Sequence, residues 1–174
     1  MNVNIKRLSA DATTPTYAHS TDACFDLYAA EDVIIEPGET ALVPTGLAFE
    51  IPPGYEMQIR PRSGITLKTH LRVQLGTVDS GYAGEVGVIV DNIAKNTADR
   101  GVVDVDKTYP ITHIDGSASK LGVFNNNAII KIRKGDRIAQ AVIKPVEQAT
   151  FTVVDALEET ERGAGGFGSS GVGK

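Results

Sequence analysis

One carboxylate and one phenol stand among three glycines in Leu75-Gly76-Thr77-Val78-Asp79-Ser80-Gly81-Tyr82-Ala83-Gly84-Glu85. Leu71, Val73 and Leu75 alternate with polar residues before this stretch, and Val86, Val88, Ile89 and Val90 resume an apolar run after it. The pattern predicts a β-hairpin carrying Asp79 and Tyr82. Gly76, Gly81 and Gly84 are expected to supply positive φ and to let a ligand approach the backbone. An ordinary turn whose Asp caps its own backbone would read the same way. Donors suited to anions occur elsewhere, at Arg62 and Ser63, at Gln140, and at Arg162, Ser169 and Ser170. Ser63 is predicted to cap a short helical turn through Ile65, Leu67 and Lys68. That would place the hydroxyl, the Arg62 guanidinium and free backbone N–H groups around Gly64 at a helix start, where anions bind. So many donors suit a polyphosphate better than a single carboxylate.

The remaining side chains narrow the chemistry. His19, His70 and His113 are scattered and Cys24 is the sole cysteine, so no zinc site is spelled out. With carboxylates and phosphates as ligands, Mg²⁺ is the natural ion, held mainly by substrate oxygens and water. No Ser–His or Cys–His nucleophile pair is evident. An Asp that deprotonates a water, with phosphate charge held by donors and metal, is the simplest mechanism available.

Short, punctuated segments must position these groups. Val3 to Leu8, Ala23 to Ala30, Val33 to Ile35, Leu42 to Ile51 and Tyr55 to Ile59 are apolar or alternating, and Pro and Gly interrupt them. Strands this short, with turns every ~8–12 residues, indicate an all-β sandwich or barrel. Ile129 to Ile132 and Ile138 to Ile143 continue the sheet, the latter with Gln140 as a polar residue needing a partner. Between them lies an expected insertion, about residues 91–121, polar and turn-rich at its centre. The 174 residues then read as one β domain, 1–161, followed by a flexible Gly-rich lid, 162–174. Gly168 to Lys174 imitates a P-loop, but the Ser/Thr and the helix that a P-loop requires do not follow.

Composition excludes several classes. A net charge of −5 without a Lys/Arg-rich run argues against duplex binding. No apolar run approaches the ~20 residues of a membrane span, and the first residues lack a signal peptide's apolar stretch. A lone cysteine fits a reducing compartment, so a cytoplasmic location is expected.

Five blocks in order resemble the five motifs of the homotrimeric dUTP nucleotidohydrolases, the dUTPases. They are Ala23 to Ala30, Pro61 to Gly64, Gly76 to Glu85, Lys134 to Gln140 and Arg162 to Gly171. The long segment between the third and fourth resembles phage-encoded members, for which the location would be the host cytoplasm. The resemblance implies a jelly-roll-like β-clip fold, a homotrimer with a small inserted subdomain, and sites that borrow motifs from all three subunits. It implies cleavage of dUTP to dUMP and pyrophosphate with Mg²⁺, which limits uracil in DNA and supplies dUMP for dTMP synthesis. Asp79 would orient and deprotonate the attacking water, and Tyr82 would pack under the deoxyribose. Gln74, Leu75, Gly76, Thr77 and Val78 would read the uracil edge. Asp26 would hold Mg²⁺ through a water. Arg62, Ser63, Gly64 and Gln140 would bind phosphates. Phe167 would cover the base, with Gly168 beside it, while Arg162, Ser169 and Ser170 close on the triphosphate.

Three positions depart from the family pattern. Cys24 stands where Gly is usual, Ala83 replaces a frequent Arg, and Val73-Gln74 lies near where many relatives carry a uracil-holding Asn. Two other readings compete at this point. One is a dCTP deaminase of the same fold. The other is a regulatory module that engages a protein partner through the insertion.

Overall fold

The computed structural model describes residues 1–95, 110–120, 128–166 and 169. Its strands form because β-favouring residues alternate over short windows that Pro and Gly close off. The strands are β1 (Asn4–Arg7), β2 (Phe25–Tyr28), β3 (Val33–Ile35), β4 (Thr40–Pro44), β5 (Leu47–Glu50) and β6 (Tyr55–Arg60). A single described helix, α1 (Ser63–Lys68), precedes β7 (Leu71–Val73), β8 (Gly76–Asp79) and β9 (Gly87–Asn92). After these come β10 (Pro110–His113), β11 (Ala118–Lys120), β12 (Ile130–Ile132) and β13 (Arg137–Pro145). The strand orders are β1-β5, β11-β10-β12-β3, β2-β13-β6-β8 and β4-β9-β7. The all-β, jelly-roll-like expectation holds.

Period-two alternation decides which face is buried. In β6, Met57 and Ile59 turn inward while Glu56, Gln58 and Arg60 face out. In β9, Val88 and Val90 turn inward. With Leu27, Ile35, Leu47, Leu71, Ile130, Ile132 and Ile138 they make one continuous core. Asn92 is the buried polar exception, and it is satisfied. Its Nδ2 donates to the carbonyls of Ile35 and Ala128, and its Oδ1 accepts from the Ala94 amide.

The predicted hairpin is more divided than its sequence suggests. β7 pairs with β9 through Leu71↔Asn92 and Val73↔Val90. The connection between them leaves this sheet as β8 and pairs with β6 through Gly76↔Ile59 and Asp79↔Glu56. The Leu75–Glu85 stretch therefore bridges two sheets. Gly76, Gly81 and Gly84 do not take positive φ; left-handed backbone falls at turns such as Gly46 (φ 67) and Gly135 (φ 85). Two of the three serve close approach instead. A Cβ on Gly84 would lie 2.5 Å from the Tyr82 hydroxyl, and one on Gly76 would lie 3.3 Å from Ile59.

Ser63 is not the cap of α1. Arg62 is, with extended backbone (φ −97, ψ 128), and no side chain bonds the helix start. Ser63 is the first helical residue, because the chain turns one position earlier, straight after Pro61. At the other end, Thr69 donates to the Ile65 carbonyl, and Arg72 Nη1 donates to the carbonyls of Thr66, Thr69 and Leu71. These bonds fasten the helix to β7.

Residues 110–120, expected within the insertion, form strands of the body's own sheet, β10 running parallel to β12 through Thr112↔Ile130. Residues 96–109 and 121–127, on which the expectation of a protein partner mainly rests, lie outside the described residues. Beyond Val146, whose amide donates to the Gly54 carbonyl, the chain leaves the body. Phe151, Val153 and Leu157 are 93%, 99% and 86% exposed, so this arm is not packed on its own domain.

Candidate active site

Two recesses gather the predicted residues. The first, about 320 Å³, lies where β8 crosses between sheets, and Gln74, Leu75, Gly76, Thr77, Val78, Asp79 and Tyr82 all line it. Its floor is apolar, with Leu42, Ile59, Val86 and Ile89. Asp79 ends β8 on the solvent side, where its backbone carbonyl accepts the Tyr82 amide at 3.0 Å. The Tyr82 ring folds over Gly84, and its hydroxyl donates to the Glu85 carbonyl at 2.8 Å. Glu85 in turn accepts the Gly46 amide at 2.7 Å, and Thr45 donates to the Val86 carbonyl. The loop is thus pinned at both ends, and its shape is fixed before any ligand arrives.

The second recess, about 700 Å³, brings Asp26, Arg62, Ser63, Gly64 and Gln140 together, with Arg137, Lys68, Asp22, Cys24 and Asp115. Asp26 is 8% exposed and engages two cations. Arg62 Nε lies 3.1 Å from Oδ1, and Arg137 Nη1 lies 3.3 Å from Oδ2. Arg62 also donates to the Arg137 carbonyl at 3.0 Å, and Gln140 donates to the Pro61 carbonyl at 2.8 Å. Two guanidiniums against one carboxylate leave a net positive wall, suited to phosphate oxygens. Asp115 sits at the rim, its carboxyl held below the usual range by the Ser117 hydroxyl and then by the Ser117 amide.

Arg137 has no assigned role in the sequence reading, and a β-bulge explains why. Arg137 pairs with Tyr28, but the next pair is Ala139↔Leu27, so Ile138 is an extra residue. In a regular strand, residues three apart face opposite sides. The bulge puts Arg137 and Gln140 on one face while Ile138 and Ala139 are both buried. The only prior signal was the pair of adjacent apolar residues at Ile138 and Ala139.

A divalent ion can be tested against this donor set. Among the described residues no group of three or more His, Cys, Asp or Glu is placed to hold a metal. Asp26 already serves two arginines. The residues therefore fit an ion whose shell is phosphate oxygen and water, with Asp26 as an outer contact, and do not fit an all-protein cage.

The arm contributes to neither recess within this chain. Arg162 Nε donates to the Gly165 carbonyl at 2.9 Å, and the Ser169 amide donates to Gly166. Phe167, Gly168 and Ser170 lie outside the described residues.

The two recesses share no lining residue, although they occupy one face of one sheet. Asp26, Gln140 and Arg60 form a row across β2, β13 and β6, and Glu56 and Asp79 form another four residues along. With strands about 4.8 Å apart and about 3.4 Å per residue, Asp26 and Asp79 are about 20 Å apart. Between them Arg60 donates to Gln58, and Gln58 to Glu56.

Comparison with known proteins agrees with this geometry. The dUTPase family model matches residues 10–99 and 112–171. A deoxyuridine 5'-triphosphate nucleotidohydrolase of Nautilia profundicola is 43% identical over 173 residues, 98% of this chain and 99% of its own. One from Gloeothece citriformis is 41% identical over 174 residues, covering 99% of this chain and 98% of its own. Among solved structures, a Staphylococcus bacteriophage 80alpha dUTPase mutant with dUpNHpp superposes with a TM-score of 0.84 at 36% identity, covering 98% and 99% of the two chains. The dUTPase from phage phi11 of S. aureus, described with a species-specific insert, gives 0.82 at 32% identity, covering 92% and 100%. With matches spanning nearly its whole length, the chain belongs to the dUTPase family.

Proposed function

We propose that the protein hydrolyses dUTP to dUMP and pyrophosphate. A water held by Asp79 attacks the α-phosphorus, the bond from the α-phosphorus to the bridging oxygen breaks, and pyrophosphate leaves. Asp79 takes the water's proton. Uracil lies in the first recess against Leu75 to Val78, the deoxyribose over Tyr82, and the triphosphate against Arg62, Ser63, Gly64 and Gln140. Mg²⁺ bound among the phosphates with Asp26 as outer contact supplies charge neutralisation; a structural Mg(II) ion is described for the phage phi11 enzyme. Limiting uracil in DNA and supplying dUMP for dTMP synthesis follow from that reaction.

The observation that carries this reading is the separation of the two recesses. A base acting through one water and a carboxylate reaching a phosphate-bound ion are linked by a few contacts of about 2–3 Å each. That path falls well short of the about 20 Å between Asp79 and Asp26 on one chain. A working site therefore joins the first recess of one subunit to the second recess of another, as in a homotrimer. The exposed arm (147–166) then carries Arg162, Phe167, Ser169 and Ser170 of a third across the join as a lid. The lid's anchorage is proposed to begin before residue 162, since the chain has already left the body by Glu147.

Pyrophosphate release from dUTP, dCTP, dTTP and UTP, measured in parallel with and without Mg²⁺, tests the reading. dUTP should be preferred strongly and only with the ion. Equal turnover of dCTP with ammonia release would support the deaminase reading instead.

A further inference from the structure

Gln74 is the last residue before the chain crosses into β8. Its backbone amide still belongs to the β7–β9 sheet, donating to the Ile89 carbonyl at 2.9 Å. Its side chain lines the first recess, yet the amide Nε2 donates to Asp91 Oδ2. Asp91 does not line that recess. It projects from β9, and its other oxygen accepts the Thr40 hydroxyl from β4 at 2.7 Å. Arg72 is directly opposite Asp91 in the ladder, but its Nη1 is committed to the carbonyls beside α1.

An amide can present either end to a ligand, whereas a carboxylate can only accept. The end of Gln74 turned to Asp91 must therefore be its NH₂. Oε1 is the end left for the recess, and Thr40 keeps Asp91 from swinging away. Uracil and cytosine differ on their pairing edge: uracil offers N3–H, and cytosine offers a bare N3 lone pair. A fixed Oε1 accepts from the first and opposes the second.

We propose that Asp91 is a positioning residue that makes Gln74 an acceptor-only reader of the base and so sets the preference for uracil over cytosine. The proposal rests on the first recess being the base site. It gives Gln74 the role that an Asn has at the neighbouring position in the relatives this sequence resembles.

The test is Asp91→Asn, which keeps the shape. Thr40 can retain Oδ1, so the new Nδ2 faces Gln74, whose amide must turn to accept and present NH₂ to the base. The ratio of kcat/KM for dUTP over dCTP should fall at least about tenfold, carried by KM. Asp91→Glu, again acceptor-only, should restore most of the ratio, and Thr40→Val should lower it less than Asp91→Asn does. A purely structural role would depress both substrates together and leave the ratio alone. A folded Asp91→Asn enzyme with the wild-type ratio would overturn the proposal while leaving the hydrolase reading intact. Were that variant to misfold, an unchanged ratio in Thr40→Val would overturn it equally. A wild-type protein inert toward dUTP would instead overturn the underlying reading.

Discussion

The recess around Asp79 and the cleft around Asp26 are built by opposite means. The first is made of backbone and apolar walls, with its loop pinned through Glu85, Thr45 and the Tyr82 hydroxyl. The second is made of long charged side chains held by one another, with Asp26 between Arg62 and Arg137. Shape does the selecting in one, and charge does the holding in the other. A base is told from its analogues by a few tenths of an ångström and one hydrogen bond. A triphosphate needs countercharge that can follow it through a reaction. Variants in the first region should therefore change selectivity or chemistry, while variants in the second should change affinity.

The sharpest break should come at Asp79. In Asp79→Asn the amide keeps the shape but cannot take the water's proton, so kcat should fall roughly 10²–10⁴-fold with dUTP binding retained. A tenth of wild-type turnover would remove Asp79 as the base. Next in size is a chain ending at Glu161, which keeps both regions and loses Arg162, Ser169, Ser170 and Phe167. One donor to a developing charge is worth about 2.7–4 kcal/mol, so turnover should drop at least ~10²-fold. Mixing it with full-length Asp79→Asn should regain activity if lid and base come from different subunits. Verified mixed trimers no better than either parent would refute that arrangement.

Arg137→Ala addresses the charged cleft. Losing one charge-assisted contact should lower kcat/KM for dUTP roughly 10–100-fold, mainly through KM; a loss confined to kcat would place Arg137 at the reacting atoms instead. Gly84→Ala addresses the shaped recess. Its Cβ would meet the Tyr82 hydroxyl at 2.5 Å, so the ring must shift. Discrimination of dUTP over UTP should fall several-fold, about a kilocalorie per mole or less, and an unchanged ratio would detach Tyr82 from sugar selection. The smallest effect concerns pH. The Asp115 carboxyl is lowered from 3.8 by Ser117, so its contribution to stability is present above that value and lost as pH falls through the folded-state pKa. Asp115→Asn should melt slightly below wild type at pH 7, with the gap closing below about pH 3.8. A gap that persisted in acid would trace to packing and not to charge.

Much of this was legible in the sequence because the relevant signal is local. Alternation at Tyr55, Met57 and Ile59 placed β6, and five ordered motifs placed the family. What escaped is non-local. The Leu71–Val90 stretch reads as one hairpin because nothing in it says that Gly76 to Asp79 will pair with β6. The glycines there looked like turn formers, yet Gly84 is required by a ring two residues away. Ser63 looked like a cap because Ser usually is one, but the turn after Pro61 passes that duty to Arg62. Arg137 was hidden by the bulge, since alternation counts residues and a bulge changes the count.

That bulge makes the number of residues in β13 as consequential as their identity. In a regular strand, deleting one residue turns every side chain on one side of the cut to the wrong face. Here, removing Ile138 would restore regular pairing of Arg137 with Tyr28 and Gln140 with Asp26, leaving both polar residues outward. The loss would fall on the interior, where Ile138 is fully buried. Length variation at this point would trade core volume and leave catalytic geometry alone. Natural chains one residue shorter here could keep the same cleft only by enlarging a neighbour to fill the space.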